Sequence, residues 1–173
     1  MPASKLVRVS GTWWRQGAPG IDPLSWQEPA PDARWQRGSV TGALYLAESP
    51  ETAWAEFYRA LAEAAVPPRV ALPRDLIELC ADFRDIADLS TAKALEAEGL
   101  PIPGPAQSEW PSFQKVGEGL FKDGAAGLIA PSAARDGGKV LCLFRNGPGP
   151  TGLTVESTEL FTDPPVVPQG LRT

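Results

Sequence analysis

Proline and glycine, the residues that most often mark turns, occur frequently in this chain. The sequence contains 19 prolines and 17 glycines among 173 residues, about a fifth of the total. Proline interrupts helices and sheet ladders, and both residues mark turns. We therefore expect many loops between short elements. The length suits one domain over residues 1–173, with a core over about 5–145 and a proline-rich, extended or frayed tail over about 163–173.

Composition and charge limit the environment and the partners. A hydrophobic content of 43% with 21% charged residues is ordinary for a soluble globular protein, and the net charge is −5. This acidic balance argues against direct nucleic-acid binding. No apolar run approaches the roughly 18 residues of a membrane span, and the first ten residues lack the apolar core of a signal peptide. We expect a cytoplasmic protein that contacts no membrane.

The element pattern favours an α+β fold. Ser49 followed by Pro50 is a typical helix start, which predicts a helix over 50–64. Further helices are predicted from Ser90 or Thr91 to Glu98 and over 113–122. Strands are predicted at KLVRV, GALYLA, RVALP and LIELCADF and on both sides of the loop in GLIAPSAARDGGKVLCLF. This order lacks regular βαβ alternation, so a doubly wound sheet is disfavoured.

The sequence contains no histidine, which restricts its chemistry. Ser-His-Asp and Cys-His nucleophile systems and histidine-containing zinc sites are excluded, and we predict no metal site. The two cysteines, Cys80 and Cys142, lie in apolar segments and are expected to be buried, reduced thiols. Any catalysis must use carboxylates, arginine, tyrosine, serine, lysine or backbone dipoles.

Five side chains are candidates for a functional site. Arg34 and Trp35 precede a strand, where they can hold an anion and offer a stacking surface. Tyr45 points to the side of its strand opposite the adjacent leucines, and Glu56 lies on the flank of the apolar stripe of its helix. Ser132 follows a strand in a proline-flanked loop, a frequent place for a ligand-contacting hydroxyl. Each residue alone also fits an ordinary surface, core or turn role.

Taken in order, the motifs RW, LYLAESPETAWAE and DGAAGLIAPSAARDGGKVLCLF resemble the RES-domain toxin family, which is named for its Arg, Glu and Ser. The similarity spans about residues 14–144. It implies an ADP-ribosyltransferase-like fold, with a mixed or antiparallel β core and flanking helices, and an activity that depletes NAD. The positions carried over are Arg34 and Glu56 as catalytic residues, and Arg34, Trp35, Tyr45 and Ser132 as NAD-binding residues.

The resemblance also implies a partner, a cognate antitoxin with a helix-turn-helix DNA-binding domain, in a type II toxin–antitoxin system. NAD is then a substrate, no cofactor is required, and inorganic phosphate is a candidate co-substrate. The residues fit this chemistry, because arginine binds pyrophosphate and a carboxylate stabilises an oxocarbenium-like state. The acceptor of the ADP-ribosyl group can be water, phosphate or a protein side chain, and the last would make the protein an ADP-ribosyltransferase. A non-catalytic interaction module and a homodimer also stay open.

Overall fold

A computed structural model describes residues 4–147 and 149–173, and within them it contains a mixed sheet and helices on its faces. The helices are α1 (Pro50–Ala64), α2 (Ala92–Ala97) and α3 (Trp110–Lys122). The strands are β1 (Leu6–Gly17), β2 (Ala43–Ala47), β3 (Arg74–Asp88), β4 (Gly127–Pro131), β5 (Lys139–Phe144) and β6 (Leu153–Phe161). The predicted α+β class is confirmed.

The sheet curls into a barrel-like form because β1, at one end of the strand order, also pairs with a strand near the other end. That order is β1-β2-β5-β4-β3-β6, and β1 also pairs with β3. Among the described residues, the β3–β4 pair is parallel and the other five strand pairs are antiparallel. The 15 residues of β3 lie beside β1 throughout, with β6 along the first half and β4 at the end. Strand β5 lies between β2 and β4, which places their C-terminal loops on neighbouring parts of the fold.

Two apolar clusters lie on opposite faces of this sheet. One is inside the curl and includes Leu44 and Leu46 of β2. The other lies beneath α2 and α3, is built around Trp35 and Phe113, and is contacted by Tyr45. The predicted alternation along β2, with Tyr45 opposite the two leucines, is therefore confirmed. It directs Tyr45 towards the segment that carries Trp35.

Helix α1 forms as predicted and packs through a third apolar cluster. The Ser49 hydroxyl accepts a hydrogen bond from the Thr52 amide at 3.1 Å, and the helix ends at Ala65 in a left-handed conformation (φ 52°). Trp54 and Phe57 are buried as expected. Tyr58 is also buried, because the 164–173 segment covers this side of the helix.

The region between α1 and α2 differs from the prediction. RVALP is not a strand, since Pro68–Ala71 forms a short 3-10 helix. Consecutive prolines at its start supply no amide hydrogens for a ladder, whereas their fixed φ suits a helical turn. The predicted strand LIELCADF is confirmed as part of the longer strand β3. β6 was not predicted, because its residues are almost all exposed and carry little of the apolar alternation that marks a strand.

Helices α2 and α3 are confirmed with shifted limits. α2 is capped by the Thr91 side chain and ends before Gly99, which has a φ of 72°. α3 begins three residues earlier than predicted, at Trp110, because Pro111 fits the first turn of a helix. In the part of the chain that the structure describes, no helix has the length and apolar character needed to cross a membrane.

The prediction of two buried thiols is right for one cysteine only. Cys142 on β5 is completely buried, and burial raises its pKa to about 12. Cys80 on β3 is exposed, between Thr12 of β1 and Thr154 of β6 in the sheet register. On this face of the sheet the neighbouring residues are polar. The apolar residues on either side of Cys80 in the sequence point to the opposite face.

Candidate active site

Glu56 and Ser132 are brought together directly. Glu56 lies in the second turn of α1, and Ser132 is the first residue after β4. The Ser132 hydroxyl donates a hydrogen bond to Glu56 Oε1 at 2.8 Å. Two of the residues singled out from the sequence therefore form one unit, which joins α1 to the loop after β4.

The hydroxyl of Ser132 makes every hydrogen bond that it can make. Its oxygen accepts from the amides of Ala134 at 3.1 Å and Arg135 at 3.2 Å, while its proton goes to Glu56. The side chain has 0% exposure. A hydroxyl has one proton and two lone pairs, and all three are used here, so the Ser132 hydroxyl has no hydrogen-bonding capacity left for a ligand. In this state Ser132 acts on the orientation of Glu56.

The second carboxylate oxygen of Glu56 faces a cation on the same helix. Arg59 lies 3.2 Å from Glu56 Oε2, and it also contacts Glu63 at 3.4 Å. The Glu56 side chain is 27% exposed, so it still reaches solvent. Arg59 was not among the motif residues, although its i,i+3 spacing from Glu56 is a usual spacing for a helical ion pair.

Arg34 is buried, with its guanidinium held by the loop before α3. The side chain is 7% exposed and lies over the ring of Phe113, 5.1 Å from the ring centre. Nη1 donates to Glu109 at 3.2 Å, and Nη2 donates to the carbonyl oxygen of Gly104. Glu109 also accepts from the Gly104 amide at 2.8 Å, which closes a small network.

The charges of Arg59 and Glu56 both act on the Arg34 guanidinium. The pKa of the Arg34 guanidinium is lowered, first by burial and then by the positive charge of Arg59. The negative charges of Glu109 and Glu56 act in the opposite direction. The candidate site thus contains two guanidinium groups and the carboxylate of Glu56 within mutual electrostatic range.

Trp35 and Tyr45 pack in the core next to Arg34. Trp35 is 1% exposed and packs edge-on against Phe113 with ring centres 5.0 Å apart, so its ring faces are not open to a ligand here. The Tyr45 hydroxyl donates to Gln36 Oε1 and accepts from the Trp35 amide at 3.1 Å. Burial raises the pKa of the Tyr45 phenol well above its ordinary value, with the Cys142 thiol and Glu56 acting in the same direction. The phenol therefore keeps its proton.

The contacts of Glu109, Gly104 and Gln36 were missed from the sequence. Glu109 and Gly104 lie 75 and 70 residues from Arg34, in a loop without a periodic pattern. Gln36 lies two residues after Arg34, but nothing in its neighbours indicates that its side chain meets Tyr45. No cluster of three or more potential metal-ligating side chains occurs within residues 4–147 and 149–173.

Two clefts open elsewhere on the surface, next to Arg145. Their volumes are about 600 and 550 Å³, and Glu28 and Arg145 lie in the walls of both. Neither contains Glu56, Ser132 or Arg34. The candidate site is therefore defined by the contacts between these side chains and by their charges.

The RES domain matches residues 5–163, and the chain belongs to the RES domain family. The resemblance predicted from the three sequence motifs is confirmed. The chain is also similar to one in the crystal structure of the M. tuberculosis MbcT–MbcA toxin–antitoxin complex. The TM-score is 0.78 and the identity 25%, over 91% of this chain and 87% of the other. This match confirms the predicted fold class. A comparison with curated protein sequences finds no match.

Proposed function

We propose that this protein is the toxin of a type II toxin–antitoxin system and that it cleaves the bond between nicotinamide and ribose in NAD. The observation that carries the proposal is the 2.8 Å hydrogen bond that fixes Glu56 on Ser132, in electrostatic range of the buried Arg34. Membership of the RES domain family and the likeness to a chain of a toxin–antitoxin complex support the same conclusion.

Glu56 is the residue we assign to bond cleavage. As the C–N bond breaks, its electron pair leaves with nicotinamide, which becomes neutral and needs no general acid. The ribose carbon gains positive charge, which the Glu56 carboxylate stabilises. Ser132 holds Oε1 and Arg59 holds Oε2, so the carboxylate is oriented before the substrate arrives. This preorganisation accounts for catalysis without histidine.

Arg34 is the residue we assign to the pyrophosphate. A guanidinium has five N–H donors, and Glu109 and Gly104 take two of those on Arg34. The remaining donors suit phosphate oxygens, and the nearby charge of Arg59 increases the attraction for an anion. Tyr45 is only partly buried, and we assign it to packing against nicotinamide or its ribose. Trp35 anchors Tyr45 through its amide.

The acceptor distinguishes the possible reactions. Attack by water, with loss of a proton, gives ADP-ribose, and attack by inorganic phosphate gives a phosphorylated ADP-ribose. Transfer to a protein side chain would make the protein an ADP-ribosyltransferase. The same Glu56 and Arg34 serve all three reactions, because the cleavage step is shared.

The proposed partner is a cognate antitoxin, and by the family resemblance it carries a helix-turn-helix DNA-binding domain. Expression of the protein alone should arrest growth, and co-expression with the product of an adjacent gene encoding such a domain should relieve the arrest. Glu56→Gln should abolish toxicity without the partner. Growth arrest that persists in Glu56→Gln would contradict a role of this site in toxicity.

The direct test is NAD consumption by the purified protein, with and without inorganic phosphate, followed by chromatography of the products. Glu63→Gln is the matched control, since Glu63 contacts the same Arg59 and has similar exposure but does not contact Ser132. We expect Glu56→Gln to lose about 10²–10³-fold in rate and Glu63→Gln to keep near wild-type activity. Equal activity of wild type and Glu56→Gln would refute the assignment.

The phosphate dependence identifies the reaction. Acceleration by phosphate with a phosphorylated product indicates phosphorolysis. Equal rates in both buffers with free ADP-ribose indicate hydrolysis. Label transfer from NAD to a protein in a cell extract, without either product, indicates ADP-ribosyl transfer. No change in NAD under any of these conditions would contradict the enzymatic proposal and favour an interaction module.

A further inference from the structure

The 164–173 segment lies outside the residues matched by the RES domain, which end at 163. It contains no helix and no long strand, yet it lies against the loop that carries Ser132. The Asp136 amide donates to the Gly170 carbonyl oxygen at 2.9 Å, and the Arg172 amide donates to that of Ala134 at 2.8 Å. Leu171 forms an isolated β-bridge with Arg135. Backbone contacts therefore hold residues 170–172 of this segment against residues 134–136 of the loop.

The side chain of Arg172 is aimed at the residue that orients Glu56. Its Nη2 donates to the Ser132 carbonyl oxygen at 2.6 Å. Its Nε lies 3.4 Å from Asp136 Oδ1, at the far end of the same loop. Arg172 thus spans the loop and holds the backbone of Ser132, whose hydroxyl is bonded to Glu56.

The same segment also contacts the helix that carries Glu56. The Tyr58 hydroxyl on α1 donates to the carbonyl oxygen of Pro165. Leu171 packs against the apolar cluster of Trp54, Phe57 and Tyr58. One short segment therefore touches both elements that supply the Glu56–Ser132 unit, α1 on one side and the loop after β4 on the other.

We propose that Arg172 is a positioning residue, which sets the geometry of the Ser132–Glu56 hydrogen bond through the Ser132 carbonyl. This inference rests on the proposed NAD cleavage. Without Arg172 the Ser132 loop gains freedom, and Glu56 loses its fixed orientation relative to the ribose. A misplacement of about 1 Å in such a group can cost about 10²-fold in rate. The effect falls on kcat, since Arg172 contacts no proposed substrate-binding side chain.

The kinetic test compares Arg172→Ala, Arg172→Lys and Arg69→Ala in NAD turnover. Arg69→Ala is the matched control, because Arg69 pairs with Asp163, the residue just before the segment, at 4.0 Å, and both side chains are exposed. We expect Arg172→Ala to lower kcat about 10–100-fold with KM within about 2-fold, Arg172→Lys to recover part of the loss, and Arg69→Ala to stay near wild type. An unchanged kcat in Arg172→Ala, a loss confined to KM, or an equal loss in Arg69→Ala would overturn the inference.

A second measurement separates this inference from the proposed function. Hydrogen exchange of the Ala134 and Arg135 amides, which donate to Ser132 Oγ, reports on the loop without any substrate. We expect faster exchange in Arg172→Ala than in Arg69→Ala. If the wild type consumes no NAD, the function fails while this test still stands. Unchanged exchange in Arg172→Ala overturns the positioning role. If Arg172→Ala does not fold, Arg172→Lys takes its place, and wild-type exchange and kcat in that variant overturn the inference.

Discussion

Ser132 donates its hydroxyl proton to Glu56 across 76 residues of sequence, and this bond is the contact on which the candidate site is built. Both lone pairs of the same hydroxyl are taken by backbone amides, so the serine is held as rigidly as its glutamate partner. A carboxylate oriented in this way loses little freedom when a positive charge develops beside it. The contribution of Ser132 should therefore be visible only through Glu56.

A double-mutant cycle tests this coupling. Ser132→Ala and Glu56→Gln should each lower NAD turnover, and the double variant should be little slower than Glu56→Gln alone, because the serine has no separate role once the carboxylate is gone. The measurement is kcat for the four proteins under saturating NAD. Losses that multiply in the double variant would show that Ser132 acts on the substrate independently.

Two glycines of α3 give a matched pair for the packing beneath Arg34. A Cβ added at Gly117 would lie 1.9 Å from the carbonyl oxygen of Trp35, whereas one added at Gly119 would meet nothing within 4 Å. Gly117→Ala should destabilise the fold by about 1–3 kcal/mol, and Gly119→Ala should stabilise it by about 0.5–1 kcal/mol. Urea unfolding measures both. Equal stability of the two variants would place α3 further from Trp35.

The two cysteines should differ sharply in reactivity. Cys80 is exposed, whereas Cys142 is buried and burial raises its pKa to about 12. Thiolate formation is required for attack on a disulfide reagent, so at about pH 8 the native protein should react at one thiol and the unfolded protein at two. Titration with an aromatic disulfide, repeated on Cys80→Ser, checks this. Rapid reaction of native Cys80→Ser would contradict the burial of Cys142.

The ion pair between Arg37 and Glu118 should make part of the stability depend on pH. The Glu118 side chain is 7% exposed and takes hydrogen bonds from Nε and Nη2 of Arg37, the second at 2.7 Å. The hydrogen bond from Arg37 lowers the pKa of Glu118 below its ordinary value. A lowered folded pKa adds stability above the unfolded pKa of about 4.3, and this stability is lost as the pH falls through the folded pKa.

Glu118→Gln should therefore be less stable than wild type at pH 7, and the difference should shrink at about pH 3, because the unfolded wild-type carboxylate, with a pKa of about 4.3, takes up a proton before the folded one does. Urea unfolding at the two pH values measures both differences. A destabilisation of the same size at both would show that Glu118 contributes through packing and not through its charge.

Local signals allowed part of this structure to be predicted. Ser49 and Pro50 determine the start of α1 by their own conformational preferences, so its limits were predicted correctly. The alternation of Leu44, Tyr45 and Leu46 likewise follows from strand geometry. β6 was missed because an exposed edge strand has no continuous apolar face. The 3-10 helix at Pro68–Ala71 was missed because its amino-acid sequence resembles that of a strand.

The residues of the candidate site could be named from the sequence, but their contacts could not. Family motifs select Arg34, Glu56 and Ser132, and they contain no information that Ser132 donates to Glu56 or that Glu109 holds Arg34. These contacts depend on how distant elements pack. Trp35 shows the limit clearly, since an aromatic side chain next to an arginine suggests stacking, and only the fold places its ring in the core.

The position of β5 between β2 and β4 has a consequence for synthesis of the chain. Strand β2 leads into α1 with Glu56, and β4 leads to Ser132, while β5 (Lys139–Phe144) pairs with both and is made after both. A growing chain thus contains each residue of the Glu56–Ser132 unit before it contains the strand that joins their supports. Fragments that end before Lys139 lack the strand that pairs with both β2 and β4, so we expect the contact between Glu56 and Ser132 to form only after β5 has been made.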